Sequence, residues 1–369
     1  MEQVRQSKAV KIGGFSHVRQ VLIGGNNPIV IQTMWKDPLS LSDLQNAAAR
    51  IETLASMGCG LLRFAVPDIQ AAEILGQLSQ MVSMPLAADI HFDYKIALRC
   101  MDFPIAKIRI NPGNIGGGEK VRQVLEKAAA GSIPIRIGVN AGSLNQDLRK
   151  QVDDGVLSAA QALIQAAQRE IAFFEDFGFT EYLVSMKAST VADTIVANRF
   201  LCAKIDAPLH IGVTEAGPLT AGVARNTAAL TALLTEGIGD TIRVSLSDTM
   251  ENEVIAAREI LAAASQLTSE NARLKRRGVN IVSCPRCGRA GFDTHGFTNR
   301  WLSRLYALDK DITVAIMGCE VNGPVEAKHA DLGITGAGDK VLLFIHGEVV
   351  KTITAGEADN VFEEELRKI

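Results

Sequence analysis

The stretch PIAKIRINPGN, residues 104–114, decides the fold that we predict for this chain. It is a short apolar run that ends in a turn of Asn, Pro and Gly, and a helix-length stretch follows it. A short apolar run of this kind is typical of a strand that is buried on both faces of a parallel sheet. The same arrangement recurs between residue 28 and about residue 265.

Seven further runs share these properties, and Ala- and Leu-rich segments with apolar spacing near 3.6 residues separate them. The runs are PIVIQ (28–32), GLLRFAV (60–66), MPLAADI (84–90), IPIRIGV (133–139), EYLVSM (181–186), PLHIGV (208–213) and DTIRVSL (240–246). Eight strand–helix units predict an α/β fold with a closed (β/α)8 TIM barrel. A doubly wound open sheet is the structural alternative.

The composition changes after the last of these units. SQLTSENARLKRRGVN, residues 265–280, is polar and charged and contains few large apolar side chains. The segment after it alternates between short strands and two helix-length stretches. We therefore predict a barrel domain over residues 1–265, a linker over 266–280 and a small α/β domain over 281–369.

The composition also limits the function classes. Among the 369 residues, 47% are hydrophobic and the net charge is −3, so the chain has no overall basic character that would suggest nucleic acid binding. The N-terminus lacks the apolar core of a signal peptide, and no apolar run reaches the roughly 18 residues of a membrane helix. We expect a soluble cytoplasmic protein.

The ends of the predicted strands carry polar residues, and chemistry in this fold takes place at the carboxyl ends of the barrel strands. These residues are Gln32, Arg63, Asp89, His91, Arg109, Asn111, Arg136, Asn140, Lys187, Glu215, Arg243 and Ser245. Four arginines and one lysine in apolar strands cannot all be buried without partners, because a lone buried charge costs several kcal/mol. We expect them to converge on a small, doubly charged anion such as a diphosphate. Asp89, His91 and Glu215 are then the candidate acid or base groups.

The six cysteines fall into two groups. Three lie in apolar surroundings and are predicted to be small core residues: Cys59, Cys100 and Cys202. The other three have the spacing of metal ligands: Cys284 and Cys287 in SCPRCGR, and Cys319 in MGCEVNGPVE (317–326). This spacing suits either Zn²⁺, with His295 or His329 as a fourth ligand, or an iron–sulfur cluster.

Two features favour the iron–sulfur cluster over zinc. The flanking glycines and prolines allow the backbone to approach a bulky cluster and to donate N–H groups to its sulfurs. A site with three cysteines beside an anion-binding barrel is also typical of a redox centre that acts on a substrate. A carboxylate, Glu320 or Glu326, could then hold the fourth iron.

Longer motifs along nearly the whole chain resemble a known family. They are ADIHFDY, RINPGNIG, PIRIGVNAGSL, VSMKAS, GVTEAG, EGIGDTIRVSL, CPRCGR and GC-x-VNGP-x-E. The resemblance is to the 4-hydroxy-3-methylbut-2-enyl diphosphate synthases of the methylerythritol phosphate pathway, which are oxidoreductases. It implies reductive ring opening of 2-C-methyl-D-erythritol 2,4-cyclodiphosphate with two electrons passed through a [4Fe–4S] cluster. It also implies flavodoxin or ferredoxin as electron donor, and a homodimer in which the cluster domain of one subunit caps the barrel of the other.

The resemblance assigns roles to individual residues. The cluster ligands are Cys284, Cys287, Cys319 and Glu326, and Glu215 is the candidate proton donor beside Asp89 and His91. The diphosphate is held by Arg63, Arg109, Arg136, Asn140, Lys187, Arg243 and Ser245. The chain departs from the family pattern at Val325, where a glycine is usual. Two other interpretations stay open: a zinc-stabilised, phosphate-binding lyase or isomerase without redox chemistry, and a catalytically inactive homologue.

Overall fold

The computed structural model describes residues 6–116, 118–140, 142, 144–268, 271–274, 278–321, 323 and 327–369. The chain forms two compact units, Met1–Arg276 and Arg277–Ile369.

The first unit is a barrel of eight parallel strands, which confirms the predicted fold class. The strands are β3 (Val30–Met34), β4 (Leu61–Ala65), β5 (Leu86–Ile90), β6 (Lys107–Ile110), β7 (Ile135–Asn140), β8 (Tyr182–Lys187), β9 (His210–Ile211) and β10 (Thr241–Ile242). They are ordered β8-β7-β6-β5-β4-β3-β10-β9, and a parallel bridge between Val184 and Leu209 joins the two ends of the sheet. Every residue of β5, β6 and β8 is buried, as expected for strands covered on both faces.

Helices follow each barrel strand and cover the outside of the barrel. They are α1 (Leu44–Ser56), α2 (Ile69–Ser79), α3 (Tyr94–Cys100), α4 (Gly118–Ala130), α5 (Gln146–Asp153), α6 (Ala159–Asp176), α7 (Val191–Cys202), α8 (Leu219–Thr235) and α9 (Met250–Leu267). Polar side chains accept backbone N–H groups at several helix starts, for example Asp68 at α2 and Thr249 at α9. Several of the loops that surround the barrel mouth are therefore tied to the start of the helix that follows them.

A small hairpin closes the amino-terminal end of the barrel, and the sequence analysis did not predict it. Its antiparallel strands are β1 (Val10–Ile12) and β2 (Val21–Ile23). Val10, Ile12 and Ile23 are fully buried against residues at the amino ends of the barrel strands, among them Leu61 and Leu183. The hairpin thus seals the barrel on the side opposite to the strand ends that carry the polar residues.

The second unit has a five-stranded mixed sheet with two helices on one face. Its elements are β11 (Asn280–Ser283), α10 (Thr294–Tyr306), β12 (Thr313–Met317), β13 (Leu332–Ala337), β14 (Lys340–Ile345), β15 (Glu348–Ile353) and α11 (Ala358–Lys368). Strands β11, β12 and β13 are parallel, and β14 and β15 continue the sheet in antiparallel fashion. Phe297 and Trp301 of α10 pack on Phe362 of α11 over the buried strands.

Three residues within the predicted linker range 266–280 pack on the barrel. Asn271 donates to the carbonyl of Leu234, and the buried Arg273 forms an ion pair of 2.7 Å with Asp240. Leu274 is also buried. The boundaries 1–265, 266–280 and 281–369 remain a prediction about which segments fold independently.

Two of the three cysteines predicted to be core residues are fully buried, whereas the third is not. Burial raises the pKa of Cys59 to about 11 and that of Cys100 to about 12. Cys202 is half-buried, because it lies in the last turn of α7, so its assignment to the core was wrong. In the part of the chain that the structure describes, the helices are too short or too polar to span a membrane.

Candidate functional site

A polar cavity of about 150 Å³ lies at the carboxyl ends of the barrel strands. Of the twelve strand-end residues that the sequence analysis singled out, nine line it, and Gln32, Asn111 and Glu215 do not. The nine are Arg63, Asp89, His91, Arg109, Arg136, Asn140, Lys187, Arg243 and Ser245. Among the described residues, the lining includes five arginine or lysine side chains and one carboxylate. This excess of positive charge suits a ligand with more than one negative charge.

Asp89 partly neutralises the cations. Its carboxylate accepts a hydrogen bond of 2.8 Å from Nη1 of Arg109 and lies 3.4 Å from Nε of Arg63. His91 is 3.5 Å from the same carboxylate. Burial acts to raise the pKa of Asp89, but the charge of Arg63, the bond from His91 and the charge of Arg109 outweigh it and hold the pKa well below its usual range. Asp89 is therefore a charged partner of the arginines.

Arg136 is the most deeply buried cation that lines the cavity. It is 1% exposed, and its Nε and Nη1 atoms have no hydrogen-bond partner among the described residues. The Nε atoms of Arg63 and Arg109 are also buried and have no hydrogen-bond partner among the described residues. Burial, followed by the charges of Arg63 and Arg109, holds the pKa of Arg136 well below its usual value. Buried donors without partners are costly, so these N–H groups are available to a ligand that accepts hydrogen bonds.

Two lysines contribute to the interior of the barrel. Burial, followed by the charges of Arg243 and Arg136, lowers the pKa of Lys187 well below its usual value. Lys107, which does not line the cavity, is fully buried and donates to Oε1 of Gln32 over 3.0 Å. Burial and the neighbouring positive charges thus both oppose the protonation of Lys187.

Glu215 lies outside the set of residues that line the cavity. It follows Thr214, which does line the cavity, but its own side chain is exposed. Its backbone φ of +51° falls in the left-handed region, which is uncommon for a residue other than glycine. The role of Glu215 in proton transfer stays a prediction.

Three residues that line the cavity were missed: Met34, Ser185 and Thr214. Met34 could have been found, because it lies two residues after Gln32 and alternate residues of a strand share a face. Ser185 precedes Lys187 by the same spacing. Trp35 does not line the cavity and instead stacks on Phe64 with ring centroids 5.4 Å apart.

The described cysteines with metal-ligand spacing lie at the carboxyl ends of neighbouring parallel strands. Cys284 directly follows β11, and Cys319 follows β12 by two residues. A Cβ atom on Gly318 would lie 3.7 Å from Sγ of Cys284 and 3.2 Å from Cβ of Ala290, so a glycine leaves room beside this sulfur. Cys284 and Cys319 are therefore close neighbours in the fold.

The third cysteine, Cys287, is exposed in the loop after β11. A backbone N–H of Arg289 and the side chain of the same residue lower the pKa of the Cys287 thiol, which favours the thiolate form that binds metal. Glu326 and Val325 lie outside the described residues. Glu320 is described and exposed.

The zinc ligands proposed as an alternative can be compared with this geometry. His295 pairs with Asn299 in its own helix over 3.1 Å. Within the described residues, three His, Cys, Asp or Glu side chains do not gather closely enough to hold a single metal ion. An iron–sulfur cluster differs from a single ion because each thiolate binds its own iron, so its ligands stand farther apart. Cys284 and Cys319 at adjoining strand ends, with Cys287 in the loop that follows the first of them, are thiolates of the type that such a cluster requires.

Comparisons with known proteins match both units. Residues 15–258 match the family model described as the GcpE TIM-barrel domain, and residues 280–368 match the GcpE protein C-terminal domain. The chain is similar to the 4-hydroxy-3-methylbut-2-en-1-yl diphosphate synthase (flavodoxin) of Treponema pallidum, with 50% identity over 99% of this chain and 92% of the relative. The protein of that name from Treponema denticola is 47% identical over 100% of both chains. The one from Thermodesulfovibrio yellowstonii is 41% identical over 99% of both.

Proposed function

This chain belongs to the GcpE family of 4-hydroxy-3-methylbut-2-en-1-yl diphosphate synthases, and from that premise we propose that it converts 2-C-methyl-D-erythritol 2,4-cyclodiphosphate to (E)-4-hydroxy-3-methylbut-2-enyl diphosphate. The enzyme is an oxidoreductase of isoprenoid precursor synthesis. In the reaction, two electrons enter, the bond between carbon and the ring diphosphate breaks, and one hydroxyl leaves as water after protonation. The observation that carries the proposal is the cavity with five basic side chains at the carboxyl ends of the barrel strands.

The basic residues would bind the diphosphate. Arg136 and Arg109 offer buried N–H atoms without partners, and phosphate oxygens accept such bonds, two at a time from one guanidinium. Lys187, Ser245 and Asn140 line the same cavity and would complete the contacts. Binding the charged part of the substrate here would fix the position of its carbon skeleton relative to the acid and base groups.

Asp89 and His91 would face the carbon skeleton, because they line the same cavity as the cations. The Arg109 side chain holds both, with Nη1 at 2.8 Å from Asp89 and 3.2 Å from His91. Glu215 would deliver the proton to the departing oxygen from the rim. Its left-handed backbone supports this role, because strained residues cluster at functional sites.

The residues of the second unit fit a [4Fe–4S] cluster. Cys284, Cys287 and Cys319 would each hold one iron, and we propose Glu326 for the fourth on the motif GC-x-VNGP-x-E. When bound, the cluster would supply single electrons and a Lewis-acidic iron for the oxygen that leaves. Flavodoxin is proposed as electron donor because the relatives carry it in their name, and ferredoxin is the second candidate.

The proposed assembly is a cytoplasmic homodimer in which the cluster domain of one subunit caps the barrel of its partner. It rests on the family resemblance. Mass photometry or sedimentation of the anaerobically purified protein tests it, because a monomer that turns over at full rate would contradict it.

Turnover tests the reaction. The protein is purified without oxygen, its iron, sulfide and zinc are measured, and the cyclodiphosphate is added with reduced flavodoxin. We expect about four irons and four sulfides per chain, as a [4Fe–4S] cluster requires, and formation of the linear diphosphate. Glu215→Gln is expected to lower the rate about 100-fold or more while inorganic pyrophosphate binds as before. One zinc per chain and no product would support the lyase or isomerase interpretation instead.

A further inference from the structure

A buried carboxylate that the proposed chemistry does not use stands behind the cavity. Glu253 lies in the first turn of α9, is 1% exposed and is absent from the cavity lining. Its oxygens accept bonds from Oγ1 of Thr33 over 2.5 Å and from the backbone N–H of Leu246 over 2.9 Å. Nζ of Lys36 lies 2.9 Å from it. The carboxylate therefore joins the helix after β10 to β3 and to the loops that follow both strands.

The same carboxylate holds the guanidinium of Arg243. Nε of Arg243 donates to one oxygen of Glu253 over 3.3 Å, and Nη2 donates to the other over 3.2 Å. The remaining nitrogen, Nη1, points to the sulfur of Met34, which lines the cavity, at 3.7 Å. Glu253 thus occupies one edge of the guanidinium and leaves the other edge toward the cavity.

Lys36 completes the network from the opposite side. Its Nζ also donates to the carbonyls of Leu246 and Asp248, in the loop between β10 and α9. Burial acts to raise the pKa of Glu253, but Arg243 and the bonds from Thr33 and Leu246 hold it below its usual value. The carboxylate is charged and lies between two cations.

We propose that Glu253 is a positioning residue that aligns Arg243 to bind a phosphate group of the substrate. This rests on the proposed function, because it takes the ligand of the cavity to carry a diphosphate. Glu253 makes no contact with that ligand itself. It acts by fixing the direction of the Arg243 fork, which a flexible side chain would otherwise have to order on binding.

The proposal and simple electrostatics predict opposite changes in anion affinity when Glu253 is replaced by Gln. Removing a negative charge beside a positive cavity strengthens the attraction for an anion, so the field alone predicts tighter binding by Glu253→Gln. Loss of alignment predicts weaker binding, because Nε and Nη2 of Arg243 donate to different oxygens of Glu253, and the NH2 group that replaces one of these oxygens in Gln cannot accept a hydrogen bond. The direction of the change in affinity therefore separates the two explanations.

Titration calorimetry of the full chain with inorganic pyrophosphate measures this change. Glu253→Gln is expected to weaken binding about tenfold, the range of a hydrogen bond to a charged group. The double variant Glu253→Gln, Arg243→Met should bind within about twofold of Arg243→Met alone, because residues that act through one another are not additive. Equal or tighter binding by Glu253→Gln, or additive losses, would overturn the proposal.

Two further variants test the same network and control for loss of stability. Thr33→Val changes no charge but removes a donor to Glu253, so it should weaken binding about threefold even if Glu253→Gln does not fold. Unchanged binding by Thr33→Val would count against the proposal. Asp240→Asn breaks a buried ion pair that lies outside the cavity lining, with Arg273, and should lower the melting temperature without changing pyrophosphate binding. If the wild-type protein does not bind pyrophosphate, the anion site of the proposed function fails and this inference fails with it.

Discussion

Replacing Arg136 by methionine is expected to stabilise the ligand-free protein and to weaken its binding of diphosphate. The guanidinium is 1% exposed, and its Nε and Nη1 atoms have no partner in the described part of the chain. Burial and the neighbouring charges of Arg63 and Arg109 oppose its positive charge. Methionine keeps much of the length of the side chain and removes both the charge and the N–H groups.

The size of the effect follows from the two N–H groups. A buried donor without a partner costs about 1–3 kcal/mol, so two of them cost about 2–6 kcal/mol. Replacing buried charges by apolar side chains of similar volume has stabilised other proteins by about 1–4 kcal/mol. We expect about 2 kcal/mol here, which corresponds to a rise in the melting temperature of about 4–8 °C for a domain of this size.

Thermal unfolding with and without inorganic pyrophosphate measures both effects. At a concentration of 100 times Kd, pyrophosphate should stabilise the wild-type protein by about 2.7 kcal/mol, whereas Arg136→Met should gain little. Arg199→Met is the matched control, because Arg199 forms an exposed pair with Glu236, worth about 1 kcal/mol at most. A lower melting temperature for ligand-free Arg136→Met, or an undiminished response to pyrophosphate, would refute the reasoning.

Three further predictions concern the other charged groups and the cysteines. Because the folded pKa of Asp89 lies below its usual 3.8, this carboxylate stabilises the fold above about pH 4, and the stabilisation is lost as the pH falls through the folded pKa. Asp89→Asn should therefore cost about 3–5 kcal/mol at pH 7 and flatten the acid side of a plot of melting temperature against pH, and an unchanged acid side would contradict this. Because the pKa of Lys187 is lowered, the binding of sulfate at pH 8 should be accompanied by uptake of protons, and Lys187→Met should take up fewer. Titration calorimetry in two buffers of unequal ionisation enthalpy measures this uptake as a difference between the two binding heats. Equal heats for the wild-type protein in the two buffers would contradict the prediction. Cys319→Ser should lower the iron content after anaerobic purification, whereas the buried Cys59→Ser should not, and equal iron in both would remove Cys319 from the ligands.

The barrel could be predicted because its strands are buried on both faces, and such runs are short, apolar and bounded by turns. The hairpin β1–β2 could not, because its strands have three residues each and carry too few side chains for a periodic pattern. Two of the predicted barrel strands are shorter than expected: β9 and β10 have two residues each in the folded chain, although their apolar runs are six and seven residues long. Strand length therefore depends on the closure of the barrel more than on the local sequence.

The cavity residues could be predicted because the carboxyl ends of parallel strands converge on one mouth. Met34 and Glu253 are two residues that were not predicted. Met34 was missed because β3 continues two residues beyond the predicted end at Gln32. Glu253 could not be found from the sequence, because an acidic residue in the first turn of a helix is usually a solvated group that favours the helix dipole. Its burial depends on ion pairs with Arg243 and Lys36. Neither residue lies on the same helix as Glu253, so the local sequence does not reveal them.

The hairpin that fills the amino-terminal end of the barrel has a kinetic consequence. Because Val10, Ile12 and Ile23 close that end, a ligand that enters the barrel at the carboxyl ends of the strands must leave through the same opening. Substrate and product of the proposed reaction share the diphosphate that the cations hold, so the product occupies the same contacts until it departs. Product inhibition should then be competitive with substrate, because the product must leave through that opening before the next substrate molecule can enter.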